Sequence, residues 1–153
     1  MRVSDLMSTE LITLHASSPL ISASEIMNLG RIRHLPCTED GRFVGLVTHR
    51  DLMLAYLPKG TFAERSVHAA TLKVEQIMQR DVATVKPDAD IADVARALYE
   101  HKYGCLPVVD DAGALLGIVT ESDFLRLTEV AIAVLRKAEL VPELQKALKN
   151  TTS

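Results

Sequence analysis

Two short stretches of the sequence place a hydroxyl and a carboxylate at the same spacing. Residues 45–51 read GLVTHRD, and residues 117–123 read GIVTESD. A threonine before a helix can accept a hydrogen bond from an amide of the first turn, and an aspartate three residues later can accept one from the threonine amide. The chemistry is therefore acceptance of hydrogen bonds, and a single copy would indicate only a helix that follows a strand.

Other residues that could do chemistry are scattered along the chain. Cys37 and Cys105 lie in apolar, strand-like runs without a C-x-x-C pair, so we expect buried free thiols and neither a disulfide nor a structural zinc site. The five histidines show neither H-x-H nor H-x-x-x-H spacing, and we predict no metal. We find no paired base and nucleophile and no phosphate loop, so we expect no enzyme activity.

Length and charge limit the classes of partner. The 153 residues suffice for one compact domain or two small units that share a core. A net charge of −3 gives no general attraction to nucleic acid or anionic lipid, so we predict neither partner. The first ten residues, MRVSDLMSTE, lack the apolar core of a secretory signal, and no apolar run is long enough to span a bilayer. We therefore expect a cytoplasmic protein.

The paired stretches belong to a longer internal repeat. DLMSTELITL (residues 5–14) aligns with QIMQRDVATV (76–85) at a shift of 71, and IRHLPCTEDG (32–41) aligns with YGCLPVVDDAG (103–113). An extra turn residue near Ala112 changes the shift to 72, which brings Gly45 onto Gly117 and Asp51 onto Asp123. We divide the chain into repeat 1 (1–56), a linker (57–72), repeat 2 (73–128) and a C-terminal helical extension (129–153).

Each repeat predicts the same order of elements. In repeat 1, LITL (11–14) is a short strand, Ser17-Ser18-Pro19 starts a helix and Gly30 ends it. RHLPC (33–37) and RFVGLV (42–47) are strands joined by the turn TEDG, and Thr48 or Thr120 opens a second helix. The fold class is α/β (α+β), with two β-α-β-β-α repeats. Their helices cover one sheet face, so the sheets should pack face to face about a pseudo-two-fold axis.

The duplicated pattern resembles a known family. Two copies of an apolar-Pro pair, an acidic-Gly turn and G-h-h-T-x-x-D, where h is apolar, resemble a tandem pair of CBS (cystathionine beta-synthase) domains, also called a Bateman module. The resemblance extends to about Leu127, and no catalytic domain lies outside it, so we expect a stand-alone pair. It implies a regulatory module that binds an adenosine-containing ligand, such as AMP, ADP, ATP or S-adenosylmethionine, in two clefts between the sheets.

The resemblance also implies roles for individual residues. Asp51 and Asp123 would accept hydrogen bonds from ribose hydroxyls, and Thr48 and Thr120 would lie beside the ribose or the first phosphate. The adenine slots would be lined by Ile12, Thr13, Ile32, His34, Pro36, Thr84, Tyr103, Cys105 and Pro107. We expect Arg33 to be a solvated charge on the opposite face of its strand.

The two clefts should differ in their tolerance for phosphate. Between Thr and Asp, repeat 1 has His49-Arg50 and repeat 2 has Glu121-Ser122, so only repeat 1 carries a fixed cation there. We therefore expect the cleft near Arg50 to take a phosphorylated nucleotide first. The cleft near Ser122 and Asp123 should stay empty, bind weakly or prefer a cationic ligand such as S-adenosylmethionine.

A second hypothesis remains open. The chain could be a structural dimerisation module without a small-molecule ligand, whose clefts are filled by side chains, with Tyr103 as the plug. Both hypotheses predict a homodimer, because the outer helices and the apolar extension offer more apolar surface than so small a unit can bury. The first also implies a regulated protein that the sequence does not identify.

Overall fold

The computed structural model describes residues 1–56 and 71–151. The predicted linker therefore lies outside the described residues, apart from Thr71 and Leu72. Repeat 1 contains a 3-10 turn (Val3–Asp5), β1 (Leu14–His15), α1 (Leu20–Gly30), β2 (His34–Glu39), β3 (Arg42–Thr48) and α2 (His49–Ala55). Repeat 2 contains a 3-10 turn (Val74–Gln76), α3 (Ile91–His101), β4 (Cys105–Val109), β5 (Leu115–Thr120) and α4 (Glu121–Lys137). Helix α5 (Val141–Thr151) follows in the extension.

The first strand of each repeat is shorter than predicted. β1 runs parallel to β2 over only two residues, and β2 pairs antiparallel with β3. In repeat 2, Val85 forms one parallel bridge with Val108 beside the antiparallel pair β4–β5. The two amides of this bridge, Val85 N and Val109 N, each donate across it at 3.0 Å. Each sheet is therefore essentially a hairpin with a short third edge.

The predicted helix and turn signals lie close to their expected positions. Pro19 immediately precedes α1, and Gly30 is its last residue, but Arg31 takes the left-handed conformation at φ 50°. In the β2–β3 turn, Asp40 and Gly41 both have positive φ, at 47° and 76°, as a tight type I′ hairpin requires. The left-handed residue that ends α1 is therefore Arg31, one position after the predicted Gly30. The hairpin turn agrees with the sequence signal.

The first turn of each repeat packs in the core of the other repeat. Val3 and Leu6 are buried with Val94, Leu98 and Val119 of repeat 2. Correspondingly, Val74 and Met78 are buried in the repeat 1 core, whose other members include Leu20, Leu35, Val47 and Leu52. The sequence alignment had assigned each turn to its own repeat and did not reveal this exchange.

Reciprocal hydrogen bonds define the pseudo-two-fold axis. Ser8 pairs with Ile118 of β5, and its counterpart Gln79 pairs with Leu46 of β3. The amide-to-carbonyl distances are 2.9 and 3.0 Å in the first pair and 2.8 and 2.9 Å in the second. Arg42 forms a bridge with Ala114. At the shift of 72, Ala114 is the residue of repeat 2 that corresponds to Arg42. Because a residue paired with its counterpart lies at the axis, the pseudo-two-fold axis that the sequence predicted passes between Arg42 and Ala114, where the edges of the two hairpins meet.

The glycine that opens each G-h-h-T-x-x-D stretch lies at one of these crossings. A Cβ at Gly45 would be 2.8 Å from the Gln79 carbonyl oxygen and 2.9 Å from Met78 Sδ. A Cβ at Gly117 would be 2.6 Å from Met7 Sδ and 3.0 Å from the Ser8 carbonyl oxygen. Glycine is needed at both positions because the leading segment of the other repeat passes directly over the strand.

We predict that Gly45→Ala lowers the free energy of unfolding by about 1–3 kcal/mol, as overpacking of a filled site does. The Gln79 backbone cannot withdraw without losing its pairing with Leu46. Gly30→Ala is the control, because the nearest atom to its new methyl group would be Ile12 Cδ1 at an ordinary 3.5 Å. Urea denaturation measures both variants, and equal stability of the two would contradict this account of the crossing.

Candidate ligand-binding clefts

Both Thr-x-x-Asp turns form helix caps, and the cap at the start of α2 is reciprocal. At the start of α2, Thr48 donates to Asp51 Oδ2 from its amide at 2.8 Å and from its hydroxyl at 2.7 Å. The Asp51 amide donates back to Thr48 Oγ1 at 3.3 Å. At the start of α4, Thr120 donates to Asp123 Oδ2 from both groups at 2.8 Å. The capping interpretation of the two stretches is therefore confirmed.

Two cavities lie between the repeats beside these caps. The larger one, which we call the Arg50 cleft, has a volume of about 590 Å³. The predicted site residues in its wall are His34, Thr48, Arg50, Tyr103 and Cys105. The smaller one, the Asp123 cleft, has a volume of about 360 Å³. The predicted site residues in its wall are Ile12, Ile32, His34, Pro36, Thr120, Ser122 and Asp123.

Each cleft combines the two repeats. The Arg50 cleft joins the start of α2 in repeat 1 to the start of β4 in repeat 2, and the Asp123 cleft joins the start of α4 in repeat 2 to the start of β2 in repeat 1. The sequence left open which repeat contributes to which cleft. The exchange of leading segments brings Gln79 to the Arg50 cleft and Ser8 to the Asp123 cleft.

Among the described residues, four predicted site residues lie outside both cavity walls. Pro107 is fully buried in β4, within the core. Thr13 and Thr84 are exposed on the segments that lead to β1 and Val85. Asp51 is half-buried, and its carboxylate faces Thr48 and Gln79. The alignment could not separate these residues from the wall, because it does not specify which way a side chain in an irregular segment points.

The two clefts differ in charge. The Arg50 cleft has three cationic side chains and two carboxylates: Arg33, Arg50, Lys102, Asp81 and Glu121. The Asp123 cleft has two cationic side chains and three carboxylates: Arg31, Arg33, Glu10, Glu121 and Asp123. The sequence patterns did not indicate Lys102 or Arg31. Arg33 is exposed, as expected of a solvated charge, but it lies in both cavity walls and not on the opposite face of its strand. Lys102 and Arg31 are counterparts that follow α3 and α1.

His34 lies in the wall that the two clefts share. Its ring packs against Gly104, where a Cβ would lie 2.5 Å from His34 Nε2. Burial lowers the pKa of His34 from its ordinary value of 6.5, the Arg33 charge lowers it further, and Glu121 partly offsets the shift. The imidazole therefore favours its neutral form, which can donate from one ring nitrogen and accept at the other.

The cysteines are buried free thiols, as predicted. Burial raises the pKa of Cys105 to about 12 and that of Cys37 to about 11, so both remain protonated at neutral pH. Since the thiolate is the nucleophile and the metal ligand, neither thiol is activated for chemistry. Within residues 1–56 and 71–151, no helix is long and apolar enough to cross a membrane.

We predict that the His34 ring titrates with a midpoint below 6.5 in a proton NMR titration. The unfolded chain then binds this proton more readily than the folded one, so the free energy of unfolding falls as the pH drops through 6.5 towards the folded pKa. His34→Gln should remove this part of the pH dependence. A midpoint at or above 6.5 would contradict the assigned burial.

Comparisons with known proteins agree with the repeat. A family model described as CBS domain matches residues 3–58 and 74–129. A homoserine O-acetyltransferase of Methanohalophilus mahii is 34% identical over 119 residues, which are 77% of this chain but 22% of that protein. The chain thus spans less than a quarter of that relative.

Two solved structures resemble the whole arrangement. The CBS domain pair of protein MJ0100, in complex with 5′-methylthioadenosine and S-adenosyl-L-methionine, is 31% identical with a TM-score of 0.71, over 86% of this chain and 98% of that chain. CBSX2 in complex with AMP is 29% identical with a TM-score of 0.73, over 85% of this chain and 97% of that chain.

Proposed function

The chain belongs to the CBS domain family, and we propose that it is a regulatory module that senses an adenosine-containing ligand without catalysis of its own. The observation that carries this proposal is the pair of cavities between the repeats, each walled by strand residues of one repeat and a Thr-x-x-Asp turn of the other. Two structural neighbours hold AMP or S-adenosylmethionine with methylthioadenosine, so adenosine is the common chemistry.

The wall of the Asp123 cleft suits an adenosine. Ile12, Ile32 and Pro36 supply apolar surface for a purine ring, and neighbouring strand backbone can meet its polar edge. Asp123 is only 9% exposed, so its carboxylate would meet ribose hydroxyls with little competition from water. In this proposal Thr120 and Ser122 complete the ribose side of the site.

The Arg50 cleft suits a phosphorylated ligand. Arg50 and Lys102 lie in its wall, Arg50 is exposed, and neither forms an ion pair within the described residues. A guanidinium without a carboxylate partner can bind phosphate oxygens in a bidentate manner. We therefore assign AMP, ADP or ATP to this cleft, with Tyr103 and the buried Cys105 beside the base and Thr48 beside the ribose.

Regulation would follow from differential affinity. A ligand in either cleft touches both repeats, so it favours the arrangement of the repeats that it bridges best. Only this preference can change the affinity for a regulated protein or for a second subunit. His34 and Gly104 belong to both cavity walls, so a shift of either repeat alters both clefts.

The structural alternative receives less support from the cavity shapes. In that hypothesis Tyr103 fills the cleft. Its ring instead stacks on His101 with a centroid distance of 5.2 Å, and Tyr103 remains 37% exposed beside the open Arg50 cleft. In this position the Tyr103 side chain lines the Arg50 cleft and leaves room for a ligand.

We also propose that the module is a homodimer formed through its outer helices. Leu29 and Leu54 of repeat 1 are 87% and 63% exposed, and Tyr99 and Leu125 of repeat 2 are 75% and 72% exposed. In the extension, Val130 and Val134 are more than half exposed, while Ile132 and Leu135 are partly covered. Apolar groups clustered on helices that cover a small domain are typical of an oligomer interface.

We predict that AMP, ADP, ATP or S-adenosylmethionine raises the melting temperature, and that combining Asp51→Asn with Asp123→Asn reduces the shift. Asparagine keeps an oxygen for the threonine but replaces the charged acceptor that ribose would use. Asp5→Asn is the matched control, because Asp5 accepts from the Arg2 amide at 2.8 Å in a turn outside both cavity walls. If none of the four ligands alters melting or gives heat in calorimetry, the structural alternative is favoured.

We predict a dimer by light scattering at micromolar concentration, and a shift towards monomer in Leu125→Asp. A carboxylate in place of an exposed leucine would have to be buried without a partner at the interface. Arg126→Asp, at the exposed next position of α4, controls for a new carboxylate on this helix and changes the net charge by more than Leu125→Asp does. A wild-type monomer, or equal effects of the two substitutions, would argue against this interface.

A further inference from the structure

The two aspartate carboxylates differ in their hydrogen-bond partners. The Gln79 side-chain amide donates to Asp51 Oδ1 at 3.1 Å, while Thr48 already occupies Asp51 Oδ2. Both carboxylate oxygens of Asp51 therefore have protein partners. Gln79 comes from the leading segment of repeat 2 and lines the Arg50 cleft, so the contact is made at the junction between the repeats.

Asp123 lacks this second contact. The counterpart of Gln79 at the shift of 71 is Ser8, whose backbone pairs with Ile118 as that of Gln79 pairs with Leu46. The serine side chain is shorter, and within the described chain no side chain donates to Asp123 Oδ1. Asp123 is nonetheless 9% exposed and belongs to the wall of its cleft. A carboxylate oxygen that no protein group holds is open to a hydroxyl donor that enters the cavity.

We propose that Gln79 is a specificity gate of the Arg50 cleft: its amide holds the Asp51 oxygen that a ribose would need, so that only ligands with phosphate bind there, whereas the Asp123 cleft accepts adenosines without phosphate. This inference rests on the proposed function and deepens it. Gln79 takes one lone-pair direction of Asp51 Oδ1. A ribose hydroxyl therefore competes with Gln79 for that oxygen, and it meets no such competitor at Asp123 Oδ1.

The magnitudes allow the gate to work. Displacing a hydrogen bond to a carboxylate weakens ribose binding by about tenfold, and a charge-assisted contact between phosphate and Arg50 recovers about ten- to a hundredfold. In the Asp123 cleft the carboxylates outnumber the cations, so phosphate brings no comparable gain. The two clefts thus sort ligands by phosphate, although their backbones are related by a pseudo-two-fold axis.

The test uses the full chain with Asp123→Asn, which impairs the Asp123 cleft and leaves the Arg50 cleft as the ribose site. Calorimetry with adenosine, AMP and 2′,3′-dideoxy-AMP is compared with and without Gln79→Ala. We expect Gln79→Ala to tighten adenosine and AMP binding about tenfold and to leave dideoxy-AMP, which lacks both ribose hydroxyls, unchanged. The Gln79 side chain is exposed, and its backbone pairing with Leu46 does not require it.

The converse variant installs the gate in the other cleft. In an Asp51→Asn chain, Ser8→Gln should weaken adenosine binding about tenfold and leave 2′,3′-dideoxyadenosine unchanged. AMP binding that is insensitive to Gln79→Ala, or dideoxy-AMP binding that tightens equally, would overturn the gate while leaving the proposed function intact. If neither AMP nor adenosine binds to the wild type, the gate fails. The proposed function fails with it only if ADP, ATP and S-adenosylmethionine do not bind either.

Discussion

The passage of each leading segment over a strand of the other repeat is the contact on which the rest of this structure depends. Gln79 pairs with Leu46 and Ser8 pairs with Ile118. These crossings place Val74 and Val3 in the two cores and fix the distance between the repeats. Gly45 and Gly117 permit the close approach, so the glycine of G-h-h-T-x-x-D supports packing while its threonine and aspartate form the cap.

The backbone is symmetric, but the side chains that reach the clefts are not. Reciprocal hydrogen bonds relate the repeats in pairs, yet the same positions carry Gln79 and Ser8, Arg50 and Ser122, or Tyr103 and Ile32. Because the two repeats share one backbone fold, the same elements form two similar cavities. Substitutions that do not disturb the crossings can then give each cavity its own charge and volume, as the two clefts show.

Much of the fold could be predicted from the sequence because its signals are local and occur twice. The hairpin at Asp40-Gly41 and the helix starts at Thr48 and Thr120 depend on φ preferences and capping within a few residues. The exchange of Val3 and Val74 could not be predicted in this way, because a repeat alignment gives the same pattern whether a segment packs in its own core or in the other one.

The site was predictable to a similar degree. His34, Thr48 and Tyr103 lie in cavity walls, whereas Pro107 is in the core and Thr13 is outside both walls. The role of Gln79 depends on a hydrogen bond between positions 28 residues apart, which no local pattern carries. Arg33 was misjudged because alternation in a strand predicts opposite faces only where the strand is regular, and β2 begins one residue later, at His34.

The bridge between Arg42 and Ala114 has an evolutionary consequence. If two identical chains of one repeat each associated in this way, a residue at the axis would pair with the same residue of the other chain. The reciprocal hydrogen bonds at the crossings would form between the two chains as well. A single ancestral repeat could therefore have formed this arrangement as a dimer of two separate polypeptides, with the leading turns swapped between them. In such a dimer both copies would carry the same residue at this position, whereas one chain with two repeats can carry a glutamine opposite one aspartate and a serine opposite the other.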